Sequence, residues 1–262
     1  MLRPGGAPAR APLLSLENVT KIFGSDVTAL SGMSLEVRQG DFLSLLGPSG
    51  CGKSTALKLI AGLMHPTKGK IDWAPGGEEG LGVVFQEPTL MPWATVETNV
   101  WLPLRLKGVS KRAAAAGIAE TLETVGLTGF ERAYPRELSG GMKMRVSIAR
   151  ALVTRPRLIL MDEPFAALDE ITRFKLNNDL LEMRAKLDCT VIFVTHSVFE
   201  SVFLSDRIVI MAARPGRVIR ELGVDQPYPR DEAFRTSADY AAHCRAASDA
   251  LGEAMLGVNH EG

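Results

Sequence analysis

The chain alternates short, wholly apolar runs with longer stretches whose apolar positions recur every three or four residues. Phe42-Leu43-Ser44-Leu45-Leu46, Leu81-Gly82-Val83-Val84-Phe85, Leu158-Ile159-Leu160-Met161, Val191-Ile192-Phe193-Val194 and Ile208-Val209-Ile210-Met211 read as strands buried on both faces. Leu13 to Val19 and Ala29 to Val37 pattern as strands around a turn at Gly24-Ser25-Asp26. A turn at Pro66-Thr67-Lys68-Gly69 precedes a short strand, Lys70-Ile71-Asp72-Trp73, and Ala74 to Gly80 reads as a loop. Residues 94–154 change to a helical pattern, with Thr95 and Ser110 as N-caps and Gly126 just past a helix end. Pro103 is expected to end or kink the first of these helices. Leu138-Ser139-Gly140-Gly141 opens another, with Met142, Val146, Ala149 and Val153 on one face and Pro156 as its stop. Glu170 to Leu187 is helical, and Ser237 to Leu256 is an amphipathic helix with Tyr240, Cys244, Ala247, Leu251 and Met255 inward. Apolar strands alternating with helices predict an α/β fold, a parallel sheet covered on both faces. Ligands of such sheets sit beyond the carboxyl ends of the strands.

Composition narrows the class without naming a function. The 262 residues suffice for one large core or two small domains. Apolar content of 46% and charged content of 23% are those of an ordinary globular chain. The 30 basic and 30 acidic residues cancel, which gives no bulk electrostatic case for binding nucleic acid or an anionic membrane. No apolar run approaches the length of a membrane span. Met1 to Pro12 carries Arg3 and Arg10 but no apolar centre, so it does not read as a secretory signal. Residues 1–12 are rich in Pro, Gly, Ala and Arg and are expected to be a disordered tail. Cys51, Cys189 and Cys244 are too few and too scattered for a disulfide framework or a zinc site, and fit a reducing compartment.

The chemistry starts at Gly47-Pro48-Ser49-Gly50-Cys51-Gly52-Lys53-Ser54-Thr55, between an apolar strand and a helix beginning near Ala56. Small residues let backbone N–H groups curl around a polyphosphate, and the helix N-terminus adds positive charge behind them. In that context Lys53 would reach the β- and γ-phosphates and the Ser54 hydroxyl would ligate Mg²⁺. The pattern predicts a nucleoside triphosphate site, and with the composition a cytosolic ATPase. Asp162, at the end of a strand, is placed to help hold Mg²⁺, and the adjacent Glu163 to orient the attacking water. Gln86 and His196 also end apolar strands. A side-chain amide can touch both Mg²⁺ and the water, and an imidazole can hydrogen-bond the γ-phosphate. Ser139 as an N-cap followed by Gly140 and Gly141 makes a second anion site at a helix end. Two such sites for one triphosphate suggest that the second closes on a nucleotide held by another subunit. Phe23 is an aromatic placed to stack on a base.

In this set the chain resembles the ATPase subunit of ATP-binding-cassette transporters over about residues 13–223. The motifs that carry the resemblance are Phe23, Gly47 to Thr55, Gln86, Leu138 to Gly141, Leu158 to Glu163, Ala167-Leu168-Asp169 and His196. The resemblance implies a P-loop NTPase parallel-sheet core, a small antiparallel β subdomain and a helical subdomain inserted at about 94–154. Residues 224–262 would form a C-terminal helical extension. It also implies a head-to-tail homodimer that sandwiches two ATP molecules. Lys53, Ser54, Gln86, Asp162, Glu163 and His196 would act from one subunit, and Ser139, Gly140 and Gly141 from the other, with Asp169 communicating across the interface. Closure and opening would drive an integral-membrane permease fed by a solute-binding protein, with the ATPase peripheral on the cytoplasmic face. Phe85-Gln86-Glu87-Pro88, Leu90-Met91-Pro92-Trp93, Thr95 to Val100, Met142 in place of a glutamine, and Arg214-Pro215-Gly216-Arg217 are similar to the nitrate, sulfonate and taurine importer branch. The groove after Gln86 is where the family receives a short helix of the permease, and Trp93 is either a contact of that partner or a core or interface aromatic. Two departures stand out: Ala166 replaces a serine, and the stretch between Lys70 and Leu81 is shorter than the family's hairpin, which trims the small antiparallel sheet.

The competing readings are weaker. A soluble ATPase of the same superfamily that remodels nucleic acid or a protein assembly would carry a long coiled coil or two cassettes, and the stretch from Lys53 to Leu138 holds no sustained heptads. A small-molecule kinase with the same loop does not account for Ser139-Gly140-Gly141 or His196.

Overall fold

The computed structural model describes residues 10–24, 26–77, 80–186 and 189–256, with the backbone alone at 185, 186 and 256. β1 (Pro12–Phe23) and β2 (Val27–Arg38) pair antiparallel. β3 (Phe42–Leu46) runs into α1 (Lys53–Ile60) through the glycine loop. β4 (Lys68–Trp73) adds to the free edge of β1, giving a three-stranded sheet in the order β2-β1-β4. β5 (Leu81–Val84) is followed by α2 (Val96–Leu106), α3 (Lys111–Thr124) and α4 (Gly140–Leu152). β6 (Leu158–Asp162), α5 (Glu170–Lys186), β7 (Thr190–Thr195), α6 (Val198–Leu204), β8 (Arg207–Ala212) and β9 (Arg217–Gly223) complete a six-stranded sheet in the order β5-β6-β7-β3-β8-β9. Its first five strands are parallel and β9 is antiparallel to β8. α7 (Glu232–Arg235) and α8 (Ala238–Leu256) end the described chain. The α/β expectation holds, with a parallel sheet beside a small antiparallel one.

The apolar strands bury both faces because each side of the large sheet has its own core. Phe42 and Leu46 of β3 join Val84, Phe193, Ile210 and the helices on one side. Leu43 and Leu45 point the other way, onto β1, β2 and α1. Alternation along a pleated strand makes this inevitable once every position is apolar. Ser44 is the exception, and its buried hydroxyl meets Ser205 Oγ at 2.5 Å.

Thr95, Ser110 and Ser139 each cap the helix they precede, accepting from the N–H three residues on, and Gly126 follows α3 with φ +67°. Other expectations shift. Pro103 neither ends nor visibly breaks α2, which continues to Leu106. Its missing N–H removes one internal bond, while Lys107 N–H closes the helix on the Pro103 and Leu104 carbonyls at 3.3 and 3.1 Å. On α8, Met255 is 53% exposed rather than inward. The buried stripe passes through Tyr240, Cys244, Ala247, Ala250 and Ala254, which leaves Met255 on its solvent side. Of the expected tail, residues 1–9 lie outside the described residues. Arg10 pairs with Asp41 and Asp206 at 3.1 Å each, and Pro12 opens β1. α6 and β9 have no counterpart in the sequence pattern, and α7 falls within the expected C-terminal helical extension. Ser25 of the expected turn and Leu187 of the expected helix lie outside the described residues.

Candidate functional site

The parallel register brings the carboxyl ends of β3, β5, β6 and β7 to one edge of the sheet. Leu46 of β3 stands opposite Thr195, and Asp162 of β6 stands opposite Val194. The residues that follow these strands therefore converge.

The loop between β3 and α1 is built around two unusual glycines. Gly52 has φ +87°, and a Cβ there would lie 2.6 Å from Leu30 Cδ2 and 2.7 Å from the Ala29 carbonyl. A Cβ on Gly47 would lie 2.7 Å from both Cys51 Sγ and the Met211 carbonyl. Only glycine permits this close approach of the loop to β2 and β8. Cys51 is fully buried beneath the loop, and burial pushes its thiol pKa up. At the start of α1 the first helical bond runs from Ala56 N–H to Gly52 O at 2.8 Å. The amides of Lys53, Ser54 and Thr55 precede it, and no side chain caps them. That leaves a row of donors at a positive helix end, suited to an anion.

Lys53 is 4% exposed, and its Nζ donates to Gly47 O at 2.7 Å and Pro48 O at 3.0 Å. Glu163 Oε1 lies 3.6 Å from the same ammonium, and Glu163 Oε2 meets His196 Nδ1 at 3.0 Å. Glu163 holds φ +46°, a sparsely populated conformation for a non-glycine residue, and its N–H is fixed on Val194 O at 3.0 Å. Ser54 Oγ donates to Asp162 Oδ1 at 3.0 Å. Burial pushes the Asp162 carboxyl up, the Ser54 bond opposes it, and the neighbouring Glu163 adds to the rise. Five of the residues singled out from sequence thus come together as two adjoining sets, Lys53–Glu163–His196 and Ser54–Asp162. Gln86 follows β5 at the same edge but is exposed and makes no side-chain hydrogen bond among the described residues.

Ser139, Gly140 and Gly141 do not join that cluster. They form the start of α4, where Ser139 Oγ accepts from Met142 N–H at 3.3 Å and both Ser139 and Gly140 are exposed. Their neighbours belong to the Asp169 segment. A Cβ on Gly141 would meet Thr172 Cγ2 at 2.8 Å, and one on Gly140 would meet Leu168 Cδ2 at 3.3 Å. Asp169 caps α5 by accepting from Thr172 N–H at 2.9 Å, and that bond pulls its carboxyl below the usual range. Phe23 sits at the turn end of the β1–β2 hairpin, 37% exposed, with Lys21 Nζ 5.3 Å from its ring centroid.

Sequence reasoning missed several supports. Arg150 of α4 donates to Pro88 O and Thr89 O at 2.8 Å each, holding the segment after Gln86. Asn99, fully buried, accepts from Met91 N–H at 2.8 Å and donates to the Ala94 and Thr95 carbonyls, which fixes the loop that presents Trp93, 77% exposed. A groove of about 470 Å³ is lined by Phe85, Thr89, Leu102, Pro103, Leu106 and Arg150 among others. Gly216, which sequence flagged only as part of a similarity, presses on the loop from behind: a Cβ there would lie 2.3 Å from Cys51 O. The Pro215-Gly216 pair, a turn signal directly before β9, was the available signal.

Among the described residues no group of three or more His, Cys, Asp or Glu could hold a metal by itself. A hydroxyl and a single carboxylate, Ser54 and Asp162, nevertheless match the hard-oxygen set that Mg²⁺ takes when phosphate oxygens supply the remaining ligands.

Residues 30–166 match the family model described as ABC transporter. The chain is 48% identical to an uncharacterized ABC transporter ATP-binding protein of Methanocaldococcus jannaschii, over 93% of this chain and 92% of that one. It is 45% identical to an aliphatic sulfonates import ATP-binding protein of Bacillus licheniformis, over 83% of this chain and 87% of that one. A bacterial ABC transporter cassette solved as a dimer superimposes with a TM-score of 0.71 at 34% identity, covering 82% of this chain and all of the other.

Proposed function

Since this chain belongs to the ABC transporter family of ATPases, we propose that it is the ATP-hydrolysing subunit of an importer for a sulfonate, nitrate, taurine or related small molecule. The observation that carries the chemistry is the contact series from Lys53 to Glu163 to His196, beside the Ser54–Asp162 pair.

The bare amides of the loop and of the α1 N-terminus bind the ATP phosphates, and Lys53 turns its donors from the loop carbonyls to phosphate oxygens. Glu163 accepts the proton of the attacking water, and its pairing with His196 aims the carboxylate. His196 hydrogen-bonds the γ-phosphate and Gln86 completes the water's surroundings. Ser54 and Asp162, with Gln86, would hold Mg²⁺, which would supply positive charge to offset that of the phosphates. Phe23 stacks on the adenine. Ser139, Gly140 and Gly141 of a second copy close over the γ-phosphate, and Asp169 links the two sites.

The domain reading proposed with this function is a 13–223 ATPase domain, its helical part at about 94–154, and a 224–262 extension. Among the described residues no helix is long and apolar enough to cross a membrane, and the proposed membrane partner is an integral-membrane permease. The groove walled by Phe85, Leu102, Leu106 and Arg150 supports docking of a permease helix there, with the ATPase on the cytoplasmic face and a solute-binding protein opposite. No role for nucleic acid enters this reading.

Affinity purification from membranes of the source organism tests it. Recovery of a polytopic membrane protein, with turnover raised by a loaded solute-binding protein, is the expected result. Recovery of soluble partners alone, with turnover indifferent to membranes, would favour the remodelling ATPase instead.

A further inference from the structure

Two charged side chains sit behind the phosphate site without facing it. Glu200, in the first turn of α6, is 7% exposed. Its Oε2 accepts from Thr195 Oγ1 at 2.5 Å, and Thr195 Oγ1 in turn accepts from Ser197 N–H at 3.0 Å. These bonds bracket His196 on both sides. The other oxygen, Oε1, is buried with no hydrogen-bond partner and lies 3.7 Å from Arg173 Nε, which is equally buried and unpartnered. Arg173 stands in the first turn of α5, and its Nη2 donates to Leu168 O at 3.1 Å.

A buried charge left without a partner is costly, and removing one member of such a pair costs more than the pair's net contribution. The Arg173–Glu200 gap exceeds an ordinary hydrogen bond by under about 1 Å, so the position of each group constrains the other. One end of this link is the Ala167-Leu168-Asp169 segment and the other is the loop that carries His196. His196 touches Glu163, and Glu163 touches Lys53. We propose that Arg173 and Glu200 are positioning residues that couple the Ala167–Asp169 segment to His196, so that movement of that segment re-aims His196 and Glu163. The coupling rests on the reading that these two residues act in ATP turnover.

A purely structural pair would lower stability without a selective effect on the chemical step. The relay instead predicts a split between kcat and KM, and shared losses in a double-mutant cycle. The full chain is compared with Arg173→Gln, Glu200→Gln and the double variant in steady-state ATP turnover, with thermal melting alongside. Each single variant should lose about tenfold in kcat with KM for ATP held within about twofold, and the double should fall no further than the worse single. Arg173→Lys, which keeps the charge, should recover most of the Arg173→Gln loss. Single losses that multiply in the double, or kcat within about twofold of wild type in Arg173→Gln, would overturn the relay alone. If Glu200→Gln does not fold, the Arg173→Gln and Arg173→Lys pair decides by the same criteria. A wild-type chain without ATP turnover would overturn the ATPase reading and the relay with it.

Discussion

The phosphate loop and the Ser139-Gly140-Gly141 segment are both glycine-lined helix starts, yet the protein treats them oppositely. At the loop, β2, β8 and Gly216 press in from behind, Lys53 is 4% exposed, and Glu163, His196, Ser54 and Asp162 are already partnered. At α4, Ser139 and Gly140 face solvent, and Gly140 and Gly141 lie against the start of α5. The first is a finished cluster within one chain, closed from behind and internally partnered, and the second is left open to solvent. A helix N-terminus with exposed amides and nothing opposite suits an anion brought by something else. That asymmetry is the physical case for a composite site between two copies, which the dimeric cassette of similar fold makes concrete.

The largest effect should come from the finished cluster. Glu163→Gln keeps the shape of the side chain and removes the base. Turnover should fall by about a thousandfold or more while ATP binding, followed by a fluorescent nucleotide, changes little. Retention of turnover would remove Glu163 from the base role. Lys53→Ala should lose both, because the ammonium lies inside the loop that holds the phosphates.

How legible each region was follows from the same contrast. Gly47 to Thr55 could be read directly, because a phosphate cradle needs its glycines in sequence and the strand and helix around them carry strong periodicity. Asp162, Glu163 and His196 were legible as polar residues ending apolar strands, since a parallel register sends strand ends to one edge. Gly216, Arg150, Asn99, Arg173 and Glu200 were not legible. Gly216, Arg150, and the Arg173–Glu200 pair act through contacts with residues distant in sequence, and Asn99 through bonds to an irregular loop, and no periodic pattern records either kind of contact. Met255 misled for a related reason: apolar spacing marks a stripe on α8, but small alanines, not the larger methionine, fill the interface.

The same substitution applied to both regions sharpens the contrast. Gly52→Ala places a Cβ 2.7 Å from a backbone carbonyl at φ +87°, so it should cost about 2 kcal/mol or more of stability and lower the melting temperature. Gly140→Ala meets only the flexible end of Leu168 at 3.3 Å, so melting should stay within about 0.5 kcal/mol of wild type. Its effect should appear instead in ATP-driven dimer closure, measured by light scattering on a background of Glu163→Gln. A Gly140→Ala chain that closes normally and a Gly52→Ala chain that melts normally would dissolve the distinction. Ser139→Ala adds the loss of an N-cap, about 1 kcal/mol, and should likewise impair closure more than binding.

The smallest signal is the most discriminating. Lys53→Ala disables the loop of one copy, and Ser139→Arg places bulk and charge on the exposed half-site of another. Each variant alone should be inactive as a homodimer, since every composite site then contains one defect. In an equal mixture, about half of the randomly formed dimers are mixed. Within a mixed head-to-tail dimer, one site gathers both defects and the other gathers none. Turnover should therefore return to about a quarter of wild type if each intact site works independently, and to less if the two must fire together. If each subunit instead carried a complete site, the mixture would give only the average of the two homodimers, with no gain on mixing. Recovery on mixing thus separates a half-site that completes its neighbour from one that merely caps a helix, without requiring either variant to change the fold.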